Sequence, residues 1–142
     1  HDAIAYMTST AELEAVYRTA AAHLRVGGVM VALPEELRSR LTPSASEIET
    51  VTAGERTVTI VQLNHDPDPS DHTYQYIFIF VVHEGDDVHV EIDQHIHGVF
   101  DIEEFVAAIE AAGFEAWVEP WELTDWPADV EPMPLITAVR RR

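Results

Sequence analysis

The sequence contains no cysteine and no lysine. Without thiols there is no disulfide, no thiolate metal site and no cysteine nucleophile. Arginine is the sole strong cation: 8 Arg stand against 26 Asp and Glu, for a net charge of −18. A chain this acidic repels phosphate backbones and anionic lipid heads, which argues against nucleic acid and membrane surfaces as partners. The longest apolar runs, near 28–34 and 76–82, are far too short to span a bilayer. There are six glycines, and none forms a phosphate- or dinucleotide-cradling loop; the one pair is Gly27-Gly28. No serine sits in a nucleophile elbow. No signal peptide opens the chain, so a cytoplasmic setting is expected. The first residue is His1 rather than Met, and it falls inside what reads as a structured motif. The sequence is therefore expected to start partway through a longer protein.

What is present is enough for a core. The chain has 142 residues, one domain's worth, and 46% are hydrophobic, which argues against disorder despite the charge. The charge is uneven: net −1 over 1–46, −10 over 47–99 and −7 over 100–142. Solvated surface is the plain reading of that imbalance.

The first segment reads as a helix and then a strand. Thr8-Ser9-Thr10 followed by Glu12 resembles a helix start with capping oxygens. Leu13, Val16, Tyr17, Ala20, Ala21 and Leu24 recur at helical spacing, Arg25 falls in the predicted last turn, and Gly27-Gly28 stops the helix. The continuous apolar run Val29–Leu33 then predicts a strand buried on both faces, as in parallel α/β sheets. Residues 42–50 are polar and serve as the best linker candidate. Alternation predicts strands over 56–64, 73–83 and 87–97, a three-stranded antiparallel meander with a tight turn at Glu84–Asp87. In the last of these, Val88, Val90, Ile92 and Ile96 point one way and His89, Glu91, Asp93, His95 and His97 the other. Asp101 then caps a helix ended by Gly113, followed by strands at 115–120 and 135–139.

His65 and His72 bracket three aspartates, and His95 and His97 stand at i, i+2 on one strand face. That spacing is compatible with two imidazoles on one ion, but nothing fixes a third ligand or a supporting shell, so no metal is assigned. A histidine-metal protein is retained only as a third reading. Trp117, Trp121 and Trp126 are expected to pack against a sheet edge rather than to line an apolar pocket.

The run from His1 to Leu37, HDAIAYMTSTAELEAVYRTAAAHLRVGGVMVALPEEL, resembles class I S-adenosylmethionine-dependent methyltransferases after their cofactor motifs. There a helix leads through an L-x-P-G-G turn into the fifth strand; here the turn reads Leu24-Arg25-Val26-Gly27-Gly28, with Val26 where proline is usual. HIHGVFDIEEFVAAIEAAGFEAWVEP resembles the family's final helix and sixth strand, and LITAVRRR its closing antiparallel seventh strand. The stretch 47–99 resembles the substrate-covering insertion of small-molecule members such as the aminosugar N-methyltransferases. The resemblance covers essentially all 142 residues.

It implies an α/β fold: the C-terminal half of a Rossmann-like methyltransferase sheet, strands 5, 6 and 7, with a three-stranded antiparallel insertion. It divides the chain into 1–46, 47–99 and 100–142. It implies S-adenosylmethionine as cofactor of the complete enzyme and a small-molecule acceptor. The family's G-x-G-x-G loop and the acidic residue ending its second strand have no counterpart in the 142 residues. The chain alone is therefore expected to be inactive, and to act as a homodimer or with a companion N-terminal half through the Val29–Leu33 edge. Under the resemblance, His1 and Asp2 lie at the cofactor, Tyr6, Glu35 and His97 line the substrate side, and His95 is the catalytic candidate. The reading from another class is a non-catalytic binding or assembly module that kept the lid and lost the cofactor half.

Overall fold

A computed structural model describes residues 3–42, 44–121 and 131–142. After a short 3-10 turn at Ala3–Tyr6 come α1 (Thr10–His23), β1 (Val29–Ala32), β2 (Ser46–Ala53), β3 (Arg56–His65), β4 (Thr73–Glu84), β5 (Asp87–Gly98), α2 (Ile102–Ala111), β6 (Phe114–Trp121) and β7 (Met133–Arg140). They form two compact units, 1–40 with 98–142, and 41–97. Among the described residues no helix is long and apolar enough to cross a membrane.

The first unit is a three-stranded sheet in the order β1-β7-β6. Strand β7 runs antiparallel to both neighbours, pairing Met30 with Ala138 and Ala116 with Ala138. The α1 start follows from its cap. The Ser9 hydroxyl accepts the Glu12 amide, and the Glu12 carboxylate in turn accepts the Thr8 amide at 2.8 Å. Those donors hold the Glu12 carboxyl below its ordinary range. The helix ends at His23, two residues before the predicted last turn at Arg25, because the Leu24 backbone is already extended. Arg140 closes that end by donating to the carbonyls of Ala21 and Leu24. Gly27, at φ +80, turns the chain into β1, and its amide is held by the Arg140 carbonyl at 2.8 Å.

The α2 start is fixed by the Glu104 carboxylate, which accepts the Asp101 amide at 2.8 Å. Gly113 follows the helix at φ +95, a conformation that suits glycine. Leu13 and Tyr17 of α1, Phe105 and Ile109 of α2, and Ile136 and Ala138 of β7 close the core. Phe100 meets Phe105 edge-on at 5.7 Å.

One expectation fails here. Val29–Leu33 is not buried on both faces: Val29 and Val31 are 56% and 58% exposed, while Met30 and Ala32 pack on the core. The core that α1 and α2 form with β7 covers one face of this sheet, and no other described helix exists to cover the second.

The second unit is an antiparallel sheet in the order β2-β3-β4-β5. It has four strands, not three, and residues 46–50 of the expected linker belong to β2. The β2 strand forms because the β-branched Ile48, Thr50, Val51 and Thr52 favour extended backbone and Gly54, at φ +64, closes a hairpin onto β3. Ile48 pairs with Val61, and Thr50 and Thr52 hydrogen-bond across to Thr59 and Thr57 at 3.0 Å each. A boundary after residue 46 would cut β2 after its first residue. Between β3 and β4, successive aspartates at 66, 68 and 71 each accept an amide two residues on, which builds the turn from the chain itself.

Candidate functional site

In the first unit, chemistry gathers at the edge of β1. The strand pairs with β7 on one side, and no partner strand lies on its other side among the described residues. A groove of about 630 Å³ wraps that edge, lined by Ile4, Met7, Tyr17, Met30, Val31 and Glu35 among others. It is an apolar wall with one carboxylate, and Glu35 stands just beyond the carboxyl end of the strand. Open α/β sheets bind ligands at that end. Tyr6 sits in the 3-10 turn beside Ile4 and Met7 with its side chain exposed. His1, Asp2 and Trp126 lie outside the described residues. Trp117 is on β6, an outer strand, where its indole donates to Glu119 at 3.1 Å.

In the second unit, β4 and β5 assemble an aromatic and imidazole face. His95 and His97 are brought together, with ring centroids 5.7 Å apart. The His97 ring stands edge-on to Tyr74 at 5.6 Å, and its Nδ1 lies 3.3 Å from the Tyr74 hydroxyl. Burial, with the neighbouring His95 second, lowers the His97 imidazole from its ordinary value and so favours the neutral ring. His95 packs edge-on to Phe78 at 6.0 Å, and its Nε2 lies 3.1 Å from the Asp93 carboxylate. An imidazole oriented by a carboxylate is suited to take a proton from an amine or hydroxyl. The partners Tyr76, Phe78 and Gln62 were not singled out from the sequence. Tyr76 stacks tilted on Phe78 at 4.6 Å and donates to Gln62 at 2.5 Å. Strict alternation in β4 is the signal that puts Tyr74, Tyr76, Phe78 and Phe80 on one face. Among the described residues, no three His, Asp or Glu side chains are grouped to hold a metal ion.

The order β1-β7-β6, with an antiparallel strand set between two that run parallel and helices packed on one face, is consistent with part of a Rossmann-like sheet. Comparison with solved structures finds the same fold. The chain matches an amino pentose methyltransferase of calicheamicin biosynthesis from Micromonospora echinaspora, solved with S-adenosylmethionine bound, at TM-score 0.83 and 24% identity. It matches DesVI of Streptomyces venezuelae at TM-score 0.81 and 23% identity, and the sugar N-methyltransferase KedS8 of a Streptoalloteichus species at 0.76 and 27%. These matches cover 99%, 99% and 100% of this chain and 55%, 56% and 54% of those proteins. The chain thus spans about half the length of the structures it resembles. No protein-family model matches it, and no curated protein matches it in sequence.

Proposed function

We propose that this chain is the acceptor-side half of an S-adenosylmethionine-dependent methyltransferase for a small molecule of the amino-sugar kind. These 142 residues include no cofactor loop of the phosphate- or ribose-binding kind. The observation that carries the reading is the one-sided β1: among the described residues, an apolar strand with no partner strand on its outer edge, no helix over its second face and a groove along it. The fold shared with sugar methyltransferases of nearly twice the length supports it.

The residues present fit one wall of a cofactor site. Ile4, Met7 and Val31 supply apolar contact, and no loop of the phosphate- or ribose-binding kind accompanies them. The chemistry supplied by the cofactor, when bound, is an electrophilic methyl group. His1 and Asp2 are assigned to that side, and Tyr6 and Glu35 to the wall of the acceptor pocket. On the sheet of the second unit, His97, beside the Tyr74 hydroxyl, is assigned the part of a hydrogen-bonding group toward an acceptor. His95, steadied by Asp93, accepts the proton lost by the acceptor amine or hydroxyl. Positioning contributes much of the rate in an in-line displacement, so the base contributes at most its usual share.

The test is turnover of an amino-sugar acceptor by the product of the gene's full reading frame. His95→Ala is expected to lower kcat by about 10²-fold, at the low end for a general base, and His83→Ala, near the β4–β5 turn, to leave it unchanged. Equal rates for the two variants remove His95 from the site. A reading frame that carries no strand followed by G-x-G-x-G favours the non-catalytic module.

A further inference from the structure

The sheet face that carries His95 and His97 has a charge pattern of its own. The His95 ring meets Phe78 and the His97 ring meets Tyr76, so alternation puts Glu91 and Asp93 of β5 on the side of Tyr76, Phe78 and Phe80. The β3 partners of Phe78 and Phe80 are Gln62 and Ile60, and the β2 partners of those are Glu47 and Glu49. Directly paired residues share a face, so both glutamates stand on this one.

The centre of the face is aromatic and its rims are acidic. Tyr76, Phe78 and Phe80 are half-buried, with Phe78 4.6 Å from Tyr76 and stacked on Phe80 at 5.9 Å. Glu47 and Glu49 at one rim, and Glu91 and Asp93 at the other, are exposed. The second unit contains one arginine, Arg56. Its β4 partner is Glu84, about 20 Å along the strand from Phe78. Ring faces attract cations, and carboxylates beside them add to that attraction. The same groups repel a phosphate.

We propose that the acceptor held on this face is a polycationic amino sugar, with two or more ammonium groups and no phosphate or carboxylate. The proposal rests on the methyltransferase reading and narrows it, since the charge of the face selects against an amino sugar linked to a nucleoside diphosphate. The outer strands of a four-stranded sheet lie about 14 Å apart. A ligand with a single ammonium reaches one rim, whereas one with several engages both. Its apolar ring edges pack on Tyr76, Phe78 and Phe80, as in sites where aromatic side chains supply contact area and a few polar groups fix orientation. The rim carboxylates hold the ammonium groups that do not react, which leaves the reacting amine beside His95.

Calorimetric titration of neamine, a small amino sugar with several amines, into the product of the full reading frame tests it, beside the same titration with uridine diphosphate glucosamine. The expected result is one-site binding of neamine that weakens about 10-fold between about 0.05 and 0.5 M salt, because salt screens exposed charges. No binding of the nucleotide-linked sugar is expected. Glu47→Gln combined with Glu49→Gln, at the rim opposite the histidines, is expected to raise the neamine Kd about fivefold and flatten its salt dependence, with the circular dichroism spectrum unchanged. Glu110→Gln, on α2 of the first unit, removes a charge elsewhere and is expected to leave the Kd within about twofold. Absence of neamine binding overturns the proposal. So does tighter binding of the nucleotide-linked sugar, or a neamine Kd that the double substitution leaves unchanged. Turnover separates this proposal from the broader reading. Methylation of the nucleotide-linked sugar in preference to neamine overturns the charge assignment and leaves a methyltransferase standing. Neamine bound through Glu47 and Glu49, with neither sugar methylated, overturns the methyltransferase reading and leaves the charge assignment standing.

Discussion

The two units use the same residue types to opposite ends. In the first, Ile109, Ile136 and Ala138 are sealed between two helices and a sheet. In the second, Ile48, Val90 and Ile92 stand on a sheet face that no other layer of that unit covers. Alternation of apolar and polar residues makes a strand in both places. Whether the apolar side is closed depends on what packs over it, which the strand's own sequence does not encode. β1 sits between the extremes, with Met30 and Ala32 turned into the core and Val29 and Val31 turned away from it.

That contrast sets an order of expected effects. The largest belongs to the helix-covered core. Ile109→Ala removes a fully buried side chain and should cost about 3 kcal/mol in urea unfolding. Val51→Ala, on the uncovered sheet, should stay within about 0.5 kcal/mol. Equal losses at the two positions would erase the distinction between the units.

Next comes Gly98, where β5 enters the first unit. A Cβ built there falls 1.7 Å from the Met7 carbonyl oxygen and 2.8 Å from the Phe100 ring, so backbone must move. Gly98→Ala should destabilise by about 2 kcal/mol or more, and a melt unchanged by that substitution would contradict the close approach. Ser9→Ala removes the α1 cap and should cost about 1 kcal/mol, read as a lowered urea midpoint at constant slope.

The smallest effect is the pH dependence from His97. Its folded pKa lies below the unfolded value, so the unfolded chain binds the proton first. The stability it contributes is complete above about pH 6.5 and falls as pH drops below that value. Comparing unfolding free energies at pH 7.5 and 5.5 should show a loss that His97→Asn reduces. A variant with the wild-type pH slope would place the titration in another group.

Much of the architecture was legible because local signals were strong. The Thr8–Glu12 cap, the Asp101 helix start, the Gly85 hairpin and the alternation of β4 and β5 each depend on neighbours in sequence. β2 was missed because its Ser and Glu content resembles a linker. Its strand character comes from cross-strand partners such as Val61 and Thr59, which are visible only once β3 is paired with it. The double burial expected of Val29–Leu33 failed for the related reason that continuous hydrophobicity reports a capacity to be covered, not the cover. The pairing of His95 with His97 was legible from their i, i+2 spacing. Asp93 beside His95 and Tyr74 beside His97 required the fold.

The account rests on the first unit being one wall of a cofactor site rather than the whole of it. Calorimetric titration of S-adenosylmethionine into the 142-residue chain, beside the same titration of the full reading frame's product, tests that directly. The account predicts no saturable heat from the chain alone and one-site binding by the full product. One-site micromolar binding by the 142-residue chain by itself would contradict it, and so would the absence of binding by both.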